Sequence, residues 1–91
     1  MNRFVRLALS AFPNPFVRTT RVRYTLPRAG HLSAAVFDVV GRRIETLFNG
    51  VQDAGGHELV WDRRQATDGA YLIRLESGTN VRSVKVVAVT R

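Results

Sequence analysis

Two histidines, seven acids and four serines are the side chains in this chain that could do catalysis or hold a metal. His31 and His57 each sit beside a glycine at the entrance to an alternating run. A histidine pair is half of a zinc site, but no cysteine and no third histidine is present to complete a tetrahedral set. Exposed turn positions account for both rings. Asp53, Asp62 and Asp68 bring oxygen ligands of the kind calcium takes. Arg63 and Arg64 fall between the last two, however, and the spacing departs from an EF-hand loop. Ser10, Ser33, Ser77 and Ser83 have neither a glycine elbow nor a histidine neighbour. The glycines are dispersed in turns rather than gathered into a phosphate-cradling loop. The chain is expected to be no enzyme and to use no cofactor and no metal.

Trp61 and Tyr71 could stack a sugar or a base, but both occupy positions that alternation places inward, so core packing is the expected role. The charge is the other chemical signal. A net +7 rests on fourteen basic residues, thirteen of them arginine, and six arginines precede the first acid, Asp38. Such a balance suits weak contact with a polyanion, and equally a solvated, arginine-rich sheet face.

The elements that would position these groups have a period of two almost throughout, the mark of strands with one wet and one buried face. Val5, Leu7 and Leu9 share a face in the opening segment. That segment also imitates a short signal peptide, but Arg6 interrupts its apolar run, and a first strand is the reading. FPNPF (12–16) follows, where each proline fixes its own φ and pushes the preceding residue toward extended geometry. It should form an edge or a crossover between sheets. From Thr20 to Leu26, Val22, Tyr24 and Leu26 face one way and Arg21, Arg23 and Thr25 the other. Leu32, Ala34 and Val36 alternate next, then a short strand around Ile44–Leu47, with Asn49-Gly50 read as a turn. Leu59 and Trp61 share a face, as do Tyr71, Ile73 and Leu75, and SGTN (77–80) turns into a final strand from Val81 to Val89.

About seven short strands, with turn signals near every ten residues, predict an all-β, immunoglobulin-like antiparallel sandwich in one domain over 1–91. Residues 1–12 would be a first strand or a linker remnant, and 13–91 the main body. Val22, Tyr24, Leu26, Leu32, Val36, Leu59, Trp61, Ile73 and Leu75 are its expected core. Burial of such side chains is worth roughly 1.5–3 kcal/mol each, and the 45% apolar content supplies enough of them. No apolar run is long enough to form a transmembrane helix.

Taken in order, FPNPF, RVRYTLPRAGHLSAAVFDVVGRRIETLFNG, AGGHELVWD, DGAYLIRLESG and VRSVKVVAV resemble the C-terminal immunoglobulin-like domains that end many exported bacterial proteins. These are the type IX secretion system sorting domains and the similar module of the flagellar hook-cap protein. The resemblance covers about residues 10–91, and the short Asp62–Gly69 loop favours the sorting type.

The resemblance implies a sorting signal of an exported bacterial protein, delivered through the periplasm to the cell surface or medium. Its partners would be the secretion translocon or processing machinery and an upstream cargo domain in a longer parent protein. Gly69 and Tyr71 match the family's glycine–tyrosine strand, and Lys85, Val86, Val87 and Arg91 its terminal strand, which the machinery would read. A terminal strand can also offer edge hydrogen bonds to a receptor. A structural or accessory immunoglobulin-like module, of the flagellar type or appended to an extracellular enzyme, is the alternative.

Overall fold

Between Thr19 and Leu26 every second side chain is buried and the intervening arginines are in water. That alternation recurs along the chain and decides its architecture. The computed structural model describes residues 6–90, and these form β1 (Ala8–Phe12), β2 (Thr19–Leu26), β3 (Gly30–Asp38), β4 (Arg43–Gln52), β5 (Gly55–Asp62), β6 (Gly69–Ser77) and β7 (Asn80–Ala88). The strands make a three-stranded sheet, β1-β2-β5, and a four-stranded sheet, β4-β3-β6-β7, with every pairing antiparallel. Among the described residues no helix is long and apolar enough to cross a membrane.

The inner faces close on one another. Val22, Tyr24 and Leu26 from β2 meet Leu32, Ala34 and Val36 from β3, Ile73 and Leu75 from β6, and Val86 and Ala88 from β7. Trp61 of β5 is fully buried at one end, while Leu59 on the same face is only partly covered. Thr20 is the one buried polar side chain among the described residues, and its hydroxyl donates to the carbonyl of Pro13 at 2.8 Å. Leu7 is buried and Leu9 half-buried against this core, whereas Val5 lies outside the described residues.

Asn49-Gly50 does not turn the chain. β4 runs ten residues, and Asn49 and Gly50 pair with Ser33 and Leu32 inside it. A glycine is useful there because the Phe48 ring lies 3.4 Å from where a Cβ would stand. The change of sheet comes later, at Asp53 and Ala54, with Gly55 at φ 115°. β4 also bulges twice against β3, near Leu47 and Ile44, which twists this edge strand away from regular pairing.

His57 differs from the expected exposed turn histidine. It lies within β5, half-buried, its ring stacked on Tyr24 at 5.4 Å and its Nε2 hydrogen-bonded to the Asp53 carbonyl at 2.7 Å. Tyr24 in turn donates its hydroxyl to Gln52, so ring and phenol tie β2 to the β4–β5 corner.

Candidate functional site

β7 is the edge strand of the four-stranded sheet, and it carries three of the six residues that the sequence singled out for recognition, Lys85, Val86 and Val87. Its alternation splits them. Val86 points inward and is fully buried, Val87 is half-buried, and Lys85 stands exposed on the outer face. On the neighbouring strand Tyr71 lies opposite Val86, and Gly69, at φ 140°, lies opposite Ala88. Arg91 lies outside the described residues.

Tyr71 is an interior residue with a polar tip. Its ring meets Trp61 edge-on at 5.1 Å, and its hydroxyl donates to the Thr67 carbonyl at 2.6 Å, closing the loop before β6. Trp61 then meets Phe16 at 5.5 Å, so three aromatic rings form a column from the start of the chain to β6. The indole Nε1 donates to Glu45 at 3.1 Å.

Phe16 belongs to the segment that leaves β1 and crosses to the other sheet. Both prolyl bonds there, Phe12-Pro13 and Asn14-Pro15, are cis. Prolines carry no N–H, so this stretch is poor in main-chain donors. Asn14 supplies the missing pair from its side chain: Nδ2 donates to the Lys85 carbonyl at 2.8 Å, and Oδ1 accepts from the Val87 N–H at 2.9 Å. Phe16 continues with main-chain bonds, its N–H donating to Val87 and its carbonyl accepting from Val89, both at 2.9 Å.

The outer edge of β7 from Lys85 to its end, with Val89 just beyond it, is therefore occupied within the domain. Strand addition by a receptor would have to displace Asn14 and Phe16 there, which corrects the expectation of an open terminal edge. What this part of β7 offers freely is its outer face, where Lys85 projects. The sequence marked the prolines but not the role of Asn14, whose partners are 71 and 73 residues away. The one available signal was an asparagine between two prolines, a donor–acceptor amide where the backbone lacks donors.

Asn14→Ala should lower unfolding free energy by about 1 kcal/mol, because an exposed edge amide and carbonyl can turn to water. Hydrogen exchange should quicken at Val87 while the Ile73 amide in the central strand β6 follows only the global change. Unaltered exchange at Val87 would contradict the clamp.

The end of the chain is held by charge. Asp68 accepts from Thr90 Oγ1 at 2.6 Å and pairs with Arg63 at 2.8 Å, while Asp62 pairs with Arg18 at 2.8 Å. The hydrogen bond from Thr90, and then that from Arg63, hold the Asp68 carboxyl below its ordinary value. Arg18 does the same for Asp62, and the Arg42 backbone N–H, helped by the Arg42 side chain, for Asp38. A carboxylate depressed on folding adds stability above its unfolded pKa, about 3.9, and loses it as pH falls through the folded value. Thermal midpoints should be flat from about pH 5 to neutrality and fall below about pH 4. Asp68→Asn should lower the plateau and shrink the acid drop, and an unchanged drop would contradict the assignment.

Among the described residues no three histidines or acids gather as metal ligands. Seven antiparallel strands in two facing sheets make the fold an immunoglobulin-like β-sandwich. The secretion system C-terminal sorting domain family model matches residues 10–89, and the chain belongs to that family. No match was found among curated proteins or among solved structures. The domain is a C-terminal sorting signal of type IX secretion, carried by exported proteins that reach the cell surface or medium, and the family is one of export signals rather than catalysts.

Proposed function

We propose that the secretion machinery reads this domain in its folded form at the β7 face, with Lys85 as the charged contact and Val87 beside it. Tyr71, Val86 and Gly69 serve the same surface from beneath by fixing the β6–β7 pair, and Arg91 belongs to the terminal sequence that the machinery reads. The family match over residues 10–89 carries this reading, because it supplies the partner class and covers both the clamp and the terminal strand. The same match favours the sorting role over a flagellar-type structural module. Cargo precedes the domain in a longer parent protein, crosses the periplasm with it and is delivered outside.

A fluorescent protein with its own export signal, fused ahead of residues 1–91, tests the contact in a host with a type IX system. Lys85→Ala should keep the native circular dichroism, since an exposed lysine is within about 0.5 kcal/mol of neutral for folding. Delivery by the intact fusion and its loss in this folded variant is the expected result. Equal delivery by both would remove Lys85 from the recognition surface.

A further inference from the structure

The charge on this molecule is distributed unevenly over its two outer faces. On the three-stranded sheet Arg21 and Arg23 share Glu58, at 3.7 and 3.2 Å, and Arg18 has Asp62. Five of the seven acids are used in ion pairs of this kind. On the outer face of the four-stranded sheet, strand pairing aligns Arg43, Phe37, Leu72 and Lys85 in one row across β4, β3, β6 and β7. Arg43 and Lys85 have no carboxylate within ion-pair distance among the described residues. Arg43 lies over the Phe37 ring at 5.5 Å, and Arg74 reaches the same ring at 6.0 Å while paired to Glu76 at 3.1 Å. Leu72 is 43% exposed beside them.

We propose that this row docks an extended segment of a protein partner in which two carboxylates flank an apolar side chain. The dimensions fit. Three interstrand steps separate Arg43 from Lys85, about 14 Å, and in an extended chain side chains at i and i+4 are about 13 Å apart on the same face. An acid at each end would meet Arg43 and Lys85, and the residue at i+2 would cover Leu72 and the Phe37 edge. A uniform polyanion fits less well, because it has nothing to place on the apolar centre between the cations. Such a segment on the secretion machinery would give the sorting surface its specificity, and in that respect the inference rests on the function proposed above.

The probe is the blocked peptide Glu-Ser-Leu-Ser-Glu, titrated into the isotopically labelled domain and followed by backbone amide shifts. Shifts should centre on Phe37 and Leu72. Binding should weaken at least about tenfold in Arg43→Glu/Lys85→Glu, and less than about twofold in Arg21→Glu/Arg23→Glu. A Glu-Ser-Ser-Ser-Glu peptide should bind more weakly than the leucine probe. No binding, equal loss in both reversed pairs, or equal affinity for the peptide lacking leucine would overturn the proposal, the last two leaving nonspecific charge. In the secretion assay, Arg43→Glu should block delivery of a folded fusion. Delivery undiminished by Arg43→Glu would overturn the docking role while leaving the sorting function standing. Failure of the intact fusion would instead count against that function, with the peptide titration still deciding the site.

Discussion

Trp61→Ala is expected to unfold the domain. The indole is fully buried and meets Phe16 and Tyr71 at 5.5 and 5.1 Å, joining the crossing segment, β5 and β6. Truncation of a buried tryptophan costs about 3–5 kcal/mol, because lost transfer energy and an unfilled cavity add. A domain of this length has a total stability of roughly 5 kcal/mol at the low end of the usual range. The loss of the Glu45 bond adds little, since that carboxylate is exposed and can turn to water. Circular dichroism and amide shift dispersion are the readouts, as Trp61 is the only tryptophan and takes its fluorescence with it. Trp61→Phe retains most of the apolar area and should remain folded with a lower urea midpoint. A Trp61→Ala protein with native dispersion and an unchanged midpoint would contradict the placement of the indole in the core.

Phe16→Ala should be the next most damaging change, and its effect should have a local signature. The ring is 1% exposed, so its removal costs about 3–5 kcal/mol by the same reasoning. It is also the anchor that keeps the crossing segment against β7, where Phe16 makes two main-chain bonds. In mild denaturant the amide of Val89 should exchange by local opening in the variant, ahead of Ile73 in the central strand β6. Because Phe16 and Trp61 touch, Phe16→Ala and Trp61→Phe should be non-additive, with a coupling of about 0.5–1.5 kcal/mol. Strict additivity would mean that the two rings do not share one packing unit.

Much of this architecture was legible because period-two alternation is a local signal. Val22, Tyr24 and Leu26 reveal their facing within a span of five residues, and so do Tyr71, Ile73 and Leu75. Features that depend on distant partners were hidden. Asn49-Gly50 has the composition of a tight turn, but pairing with β3 and the partial burial of Leu47 and Phe48 against the core keep β4 extended through it. His57 looked exposed because its stacking partner, Tyr24, lies on another strand. Proline chemistry alone reduced FPNPF to an edge or a crossover between sheets, whereas the closure of the β7 edge by Asn14 required knowledge of which strand lay alongside. The outer row of Arg43, Phe37, Leu72 and Lys85 exists only once three registers are fixed.

The most direct test of the central claim, that this sandwich is an export address, compares one reporter fusion in two strains. A fluorescent protein with its own inner-membrane export signal, ending in residues 1–91, is expressed in a type IX-competent host and in an isogenic strain with that system inactivated. The account predicts surface or medium fluorescence in the competent strain and periplasmic retention in the other. Equal delivery in both strains, or retention in both with the domain folded, would contradict it.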